Sequence, residues 1–424
     1  MAGQYFGIDF GTSNSTVSVC TDGPARLIAL EAGEVTLPSA VFWDADGAPP
    51  EFGRAAIAAY LRGDDGRLMR GLKSTLGSSL IDGRTQVGAR SVSFRLVLER
   101  FFGAMVAALR AEAGQRAEAE QRAEAVVLGR PVHFVDDDTA GDARAEAVLA
   151  AIASGLGFRQ VAFQYEPIAV ARQYEQSVAR EELVLIVDIG GGTSDVSLVR
   201  VGPGLAGKAE RAGDILANDG IRVGGTDFDK LLSLAEVMPH LGFLATTKRG
   251  QGLMPRHYYL DLATWHRINM LYTQRILADL KALRFEIDRV ELLDRMLHVV
   301  TTRQGHALAM AVEAAKIALS DGDAARLMIG ALIGGPNPVA RREVFETAVT
   351  APVQRVAAML GSVLQAAGLR ADRIGTVFMT GGSSGLPLLH RTVARVLPGV
   401  RIATGDMLGS VGAGLALEAR RRFA

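Results

Sequence analysis

Gly7-Ile8-Asp9-Phe10-Gly11-Thr12-Ser13-Asn14 returns, nearly copied, as Asp188-Ile189-Gly190-Gly191-Gly192-Thr193-Ser194-Asp195 about half a chain later. Each phrase holds an Asp, passes through glycine to Thr-Ser, and enters alternating residues: Val17 and Val19 in one, Val196, Leu198 and Arg200 in the other. Alternation with period two reads as a strand, so each phrase marks the tip of a β-hairpin. Glycine there lets backbone N–H groups approach an anion closely, and a run of such groups forms a phosphate nest. Two facing loops, each with its own carboxylate, suit a Mg-nucleotide held between two related halves.

The chain has 424 residues, too many for one ordinary core, so two or more domains are expected. Lys+Arg and Asp+Glu both number 46, leaving no net field to recruit nucleic acid or an anionic membrane. The single cysteine, Cys20, excludes an internal disulfide framework and a thiolate zinc cluster. The start runs directly into a strand over Tyr5–Ile8, without the basic and apolar regions of a signal peptide. The longest apolar window, Leu183–Val187, stops at Asp188, far short of the roughly 20 residues that cross a bilayer. A cytoplasmic protein is the expectation.

Outward from the two phrases, strands are expected over Gln4–Phe10, Ser15–Cys20 and Thr36–Trp43. A helix over Arg95–Leu109 leads into Ala111–Ala125, whose Glu112–Arg116 and Glu118–Arg122 spacings predict an exposed helix. Strand Ala125–Phe134 follows, and Asp136-Asp137-Asp138 is read as the cap of a helix over Gly141–Ser154. Strand Gln160–Gln164 and helix Glu166–Gln176 complete the first half. The second half opens with strand Glu182–Val187 and is mostly helical over 230–320. It closes with helix Arg341–Ala367, strand Thr376–Thr380, helix Leu386–Val396 and helix Ser410–Arg422. Strands alternating with helices on this scale predict an α/β fold.

Three familiar patterns fail. Gly66…Gly71-Leu72-Lys73-Ser74 puts Leu72 where a P-loop needs Gly beside Lys. Gly202-Pro203-Gly204-Leu205-Ala206-Gly207 precedes no apolar helical stripe and reads as a loop. Gly381-Gly382-Ser383-Ser384-Gly385 fits a nucleophile elbow, but only His390 follows it, so no triad can form. Ser383 is better read as a ligand contact. The histidines show no metal spacing on a helix face, and Trp265, Ile268, Leu271 and Tyr272 read as helix packing. What remains is jointly specific. Asp9, Asp188 and Asp195 beside phosphate loops suit a Mg²⁺ held mainly through water. Thr12, Ser13, Asn14 and Thr193 can bond phosphate oxygens, alongside Gly11 and Gly190, Gly191 and Gly192.

With these motifs in order, the chain resembles the Hsp70 ATPase domain of the actin/Hsp70/hexokinase superfamily. Gly7–Ser15 and Asp188–Ser197 are similar to that family's two phosphate motifs. Glu166-Pro167-Ile168-Ala169-Val170-Ala171 and Gly409-Ser410-Val411-Gly412-Ala413-Gly414 resemble its connecting helices, and Val377–Ser383 its adenosine motif. Lys73–Gly77, Val223–Asp229 and Glu313–Ser320 add marks specific to Hsp70. The resemblance implies a two-lobed actin-like fold of duplicated ribonuclease H-like domains, without the Hsp70 substrate-binding domain, as in short YegD-type chaperone-like proteins. It implies lobe I over 1–180, lobe II over 181–408 with a helical subdomain near 230–320, and a second connecting helix over 409–424. It makes Lys73 the lysine that reaches the γ-phosphate and its attacking water. Glu166, Asp9, Asp195 and Thr193 complete the catalytic set, with Asp9, Asp188 and Asp195 around Mg²⁺. Gly224 and Gly225 would contact the bound ATP or ADP, and Glu313, Lys316, Ser320, Gly381, Gly382 and Ser383 its nucleoside end.

Two departures stand out: Ile317 and Gly385 occupy places where the family has arginines against adenine. Losing each contact removes roughly 0.5–2 kcal/mol, so weaker ATP binding is expected. The function implied is slow Mg-dependent ATP hydrolysis driving lobe closure, with an unidentified client or co-chaperone as partner. The alternatives are a nucleotide-gated scaffold of the actin type, a superfamily kinase, and a nucleotide binder without turnover.

Overall fold

The first phrase folds as a hairpin: β1 (Tyr5–Phe10) runs antiparallel to β2 (Asn14–Cys20), with Asp9 opposite Thr16 and Phe10 opposite Ser15. The structure, a computed structural model, describes residues 4–115, 125–135, 138–205, 207–208, 211–248, 252–404 and 409–424. β3 (Arg26–Leu27) and β4 (Thr36–Pro38) pair with β2. Helix α1 (Phe94–Gln115) then leads toward β5 (Ala125–Arg130), which lies parallel to β1. A parallel neighbour needs a crossover. Helix α2 (Thr139–Gly155) supplies it before β6 (Gln160–Tyr165), which pairs parallel with β5. The sheet order is β6-β5-β1-β2-β3.

After helix α3 (Glu166–Glu175) the pattern repeats. β7 (Glu182–Ile189) and β8 (Ser194–Val201) form the second hairpin, with Asp188 opposite Asp195 and Ile189 opposite Ser194. β9 (Ile215–Ile221) adds antiparallel to β8. β10 (Thr376–Thr380) and β11 (Arg401–Thr404) add in parallel on the far side of β7, giving the order β9-β8-β7-β10-β11. Both sheets thus carry three antiparallel strands followed by two parallel ones, and β4 adds a sixth, antiparallel strand to the first. The duplication read from two short phrases extends to whole sheets, and the fold is the α/β actin-like one.

The central strands are buried on both faces, as sheets covered by helices on each side require. In the first sheet Phe6, Ile8 and Phe10 join Phe101 and Phe102 of α1 in one core, where the Phe10 and Phe102 rings meet edge-on at 5.0 Å. A second core joins Ile168 and Val170 of α3 to Val184 and Ile186 of β7. It also takes in Val411 and Leu415 of a helix over Ser410–Phe423. That helix crosses α3 at Gly414, where a Cβ would stand 1.8 Å from the Ala169 carbonyl oxygen. Only glycine permits the crossing.

The chain forms two compact units. One comprises Met1–Val223, Val356–Ser384 and Val393–Ala424 and contains both sheets. The other comprises Gly224–Arg355 and Gly385–Thr392. It holds α4 (Gly225–Leu232) and α5 (Gly305–Asp321), with Leu293, Met296, Val299 and Phe345 among its fully buried residues. Further on come α6 (Arg342–Ala366), α7 (Pro387–Val396) and α8, the helix Ser410–Phe423 already met at the Gly414 crossing.

The local expectations need three amendments. Thr36–Trp43 is not one strand. Thr36–Pro38 belongs to the first sheet, while Ala40–Asp44 joins a separate sheet with Glu51–Phe52 and Gly66–Arg70. The chain changes sheets at Ser39, just after a proline that has no N–H for a ladder. Strand Ala125–Phe134 ends at Arg130, before Pro131. The exposed helix expected over Ala111–Ala125 is entered by α1 as far as Gln115, and 116–124 lie outside the described residues. Asp138 does cap α2, accepting from Gly141 N at 2.8 Å, whereas Asp136 and Asp137 lie outside the described residues. Among the described residues no helix is long and apolar enough to cross a membrane.

Candidate functional site

The second hairpin closes tightly, with Gly190 N donating to Thr193 O at 2.9 Å. The first is fastened from outside by Ser39. Its N–H donates to Ser13 O at 2.8 Å, its hydroxyl donates to Gly11 O at 2.6 Å, and it shares a 2.9 Å bond with Ser15 Oγ. The two tips meet. A Cβ added to Gly191 would lie 2.0 Å from Ser13 Oγ, and one on Gly192 would lie 3.3 Å from Thr12 Cγ2. Thr12, Ser13, Gly191 and Gly192 therefore share one place, as two facing loops require. Gly381 adds a third loop, for Ser383 N donates to Ile189 O at 3.0 Å at the end of β7. Gly381 has φ +86°, open to glycine, and a Cβ there would meet Asp188 Oδ1 at 2.4 Å.

Beneath the tips lie the carboxylates. Asp188 and Asp195 face each other across β7 and β8 and are buried; Asp9 is half-buried near the end of β1. Lys73 sits in a short 3₁₀ turn, Leu72–Thr75, that follows Gly71 at φ 66°. Its Nζ donates to Glu166 Oε1 at 2.7 Å, with side-chain exposures of 11% and 10%. Glu166 opens α3, where a carboxylate suits the positive end of the helix dipole. Glycines keep the space around these groups narrow. A Cβ on Gly220 would stand 2.7 Å from Asp195 Oδ1, and one on Gly129 would stand 3.3 Å from Glu166 Cγ.

Four carboxylates, Asp9, Glu166, Asp188 and Asp195, thus share one ammonium. Burial, reinforced by Glu166 and by Asp188, pushes Asp9 up to about 8. Burial, with Glu166 and Asp195 beside it, pushes Asp188 up to about 7. Asp195 also rises to about 7 through burial and Glu166, although the Thr193 hydroxyl and Val132 N–H donate to it. Burial alone would depress Lys73, but Glu166 and Asp9 outweigh it and hold its ammonium above the ordinary value. Near neutral pH the cluster therefore lacks positive charge. All of its donors are hard carboxylate oxygens, the set that suits Mg²⁺. Among the described residues no three His, Cys, Asp or Glu side chains are grouped to ligate a metal directly. A hydrated Mg²⁺, bound with a nucleotide's phosphates, fits this arrangement.

The remaining expected residues lie in the other compact unit. Gly224 N donates to Asp227 Oδ2 at 3.0 Å and so caps α4, which Gly225 begins. Lys316 of α5 pairs with Asp229 of α4 at 2.8 Å and donates to Gly225 O at 3.4 Å. It ties two helices together. Glu313 and Ser320 share α5 with it, and Ile317 between them is 59% exposed.

Sequence reasoning missed Ser39, the Val132 amide and the glycines at 129 and 220. None stands in a duplicated phrase. Each acts through strands far away in the sequence, so no local signal marks it.

A family model described as "Hsp70 protein" matches residues 5–238. Among curated proteins, "Chaperone protein HscA" of Citrobacter koseri is 26% identical over 96% of this chain and 57% of its own length. The same-named protein of an Escherichia coli strain is 27% identical, over 97% and 57%. That of Salmonella typhimurium is 25% identical, again over 97% and 57%. The chain spans a little over half the length of the curated relatives it matches.

Proposed function

The chain belongs to the Hsp70 family, whose model covers more than half of it, and from that premise we propose that it binds ATP and ADP with Mg²⁺ and hydrolyses ATP slowly. The observation that carries this reading is the contact of two glycine tips above a buried surplus of carboxylates. Gly11, Thr12, Ser13 and Asn14 hold the phosphates from one side, and Gly190, Gly191, Gly192 and Thr193 from the other. Asp9, Asp188 and Asp195 hold Mg²⁺, mainly through its water, and the ion offsets their charge and that of the phosphates. Gly381, Gly382 and Ser383 stand at the nucleoside side of the same loops.

Lys73 brings its ammonium to the γ-phosphate and the attacking water. Glu166 keeps that ammonium in place and accepts from the water. Phosphoryl transfer needs in-line placement and neutralised charge rather than covalent chemistry, and these residues supply both. α3 begins at Glu166 and crosses α8 at Gly414, so hinging about these helices converts phosphate state into lobe closure. Lobe I spans 1–180 and lobe II 181–408, with 409–424 returning to the first. The protein acts in the cytoplasm as a chaperone or chaperone-related switch toward an unidentified client or co-chaperone.

Calorimetric titration with ATP, ADP and GTP, with and without Mg²⁺, tests site, metal and base together. Phosphate release without an added acceptor is the expected turnover. A chain that binds no nucleotide in Mg²⁺, or that releases phosphate only when an acceptor is supplied, refutes the proposal.

A further inference from the structure

One guanidinium outside the carboxylate cluster reaches two of its members through their neighbours. Arg130 closes β5, and its side chain is 13% exposed. The preceding Gly129 already lies against the site, since a Cβ there would stand 3.3 Å from Glu166 Cγ and 3.7 Å from Asp9 Oδ1. Across the ladder Arg130 is in register with Tyr165, the residue immediately before Glu166. Its guanidinium carbon lies 4.8 Å from the centre of the Tyr165 ring, a contact that suits a flat cation.

The same group folds the chain that follows it. Its Nε donates to Pro131 O at 3.1 Å and its Nη2 to Val132 O at 3.2 Å, so one fork turns both peptides back on the end of the strand. Val132 sends its N–H to Asp195 in the other sheet. Two carboxylates of α2 hold the guanidinium from behind: Glu146 pairs with Nη1, and Asp142 lies 3.6 Å from Nη2. Asp142 is buried and also gathers the rest of the loop. Its Oδ1 accepts from Phe134 N at 2.6 Å and Val135 N at 3.2 Å, and its Oδ2 shares a 3.2 Å bond with His133 Nδ1. From just past β9, Arg222 donates to Phe134 O at 3.3 Å.

We propose that Arg130, braced by Asp142, is a positioning residue for ATP hydrolysis, aiming Asp195 through the Val132 amide and Glu166 through the Tyr165 ring. The inference rests on the hydrolytic reading of the hairpin tips. One flat fork serves two carbonyls, two carboxylates and a ring together. A lysine ammonium supplies the charge but cannot lie on the ring while reaching both carbonyls. The hairpin tips are fastened by other contacts, so nucleotide still binds when the fork is lost. What suffers is the geometry around the attacking water.

The test compares phosphate release and amide exchange in the unaltered protein, Arg130→Lys, Asp142→Asn and Val148→Ala. Val148 lies on the core side of α2, so its truncation loosens the same helix without touching the loop. In Arg130→Lys we expect kcat to fall about tenfold to a hundredfold while KM for MgATP stays within about threefold. Exchange of the Val132 amide, read without nucleotide, quickens by about tenfold or more. Asp142→Asn shows the same split at smaller size, because its side chain keeps an oxygen for Phe134 N–H. Val148→Ala lowers the unfolding temperature and leaves kcat and Val132 exchange near those of the unaltered protein. The positioning role alone is overturned by an Arg130→Lys kcat within about twofold of Val148→Ala, or by a KM that rises as much as kcat falls. A Val132 amide that exchanges no faster in Arg130→Lys overturns it too. Failure of the unaltered protein to release phosphate from ATP refutes the hydrolytic reading first and this role with it.

Discussion

Replacing Lys73 with methionine removes the cation that, among the described residues, four carboxylates share, and leaves the length of the side chain nearly unchanged. The Nζ–Oε1 distance of 2.7 Å corresponds to about 6 kcal/mol of attraction at an effective dielectric constant of about 20. Methionine also avoids the cost of burying an ammonium, so the net loss is smaller. Breaking one side of a buried pair costs about 3–5 kcal/mol, and both side chains here are about nine-tenths buried. The cost depends on pH in a definite direction. Asp9, Asp188 and Asp195 have folded-state values near 8, 7 and 7, above their unfolded value of 3.8. A raised carboxylate gives its full stability below the unfolded value and loses it as pH rises through the folded one. Protonated aspartates tolerate the missing ammonium; ionised ones do not. Urea unfolding without metal or nucleotide should therefore show a loss of about 3–5 kcal/mol at pH 8.5 and about half that at pH 6. Glu166→Gln, which removes one anion from the surplus, should cost less than Lys73→Met. The double variant should fall between them. Equal losses at the two pH values, or a Lys73→Met cost below about 1 kcal/mol, would show that the cluster is not short of positive charge.

Binding of Mg²⁺ with nucleotide should release protons below pH 8 and tighten as pH rises from 6, because the aspartates must ionise to hold it; calorimetry in buffers of different ionisation enthalpy reads the release. Gly191→Ala puts a Cβ 2.0 Å from Ser13 Oγ, so nucleotide affinity should fall at least tenfold while unfolding loses about 1–3 kcal/mol. Near-normal affinity in that variant would separate the tips from the site. Glu418→Gln leaves three arginines sharing a neutral partner and should cost about 3–5 kcal/mol. Since Glu418 lies below the usual carboxylate value, that difference is present above pH 4.5 and shrinks as pH falls through the folded value. Tyr259→Phe should be neutral or stabilising by about 1 kcal/mol, because its buried hydroxyl has no hydrogen-bond partner among the described residues; a loss above 1 kcal/mol in urea would reveal one.

The duplicated hairpins were legible in the sequence because each is a local object. The turn, the alternation and the carboxylate all sit within about a dozen residues, and strand pairing follows from them. Ser39 was not legible, since its three bonds to the first tip exist only once a neighbouring strand is in place. For the same reason Thr36–Trp43 reads as one strand: its apolar pattern runs through Pro38, and only the ladder shows that the chain changes sheets. Lys73 illustrates the limit for chemistry. Its motif could be read, but its partner Glu166 lies 93 residues away. Composition gives each aspartate an ordinary carboxylate. Glycines outside the motifs, at 129 and 220, let the backbone close over Asp9, Glu166 and Asp195, and so exclude the water that would keep them ordinary. The phrases decide which groups arrive at the site. Whether those groups arrive charged depends on residues that, one by one, look like nothing more than turns.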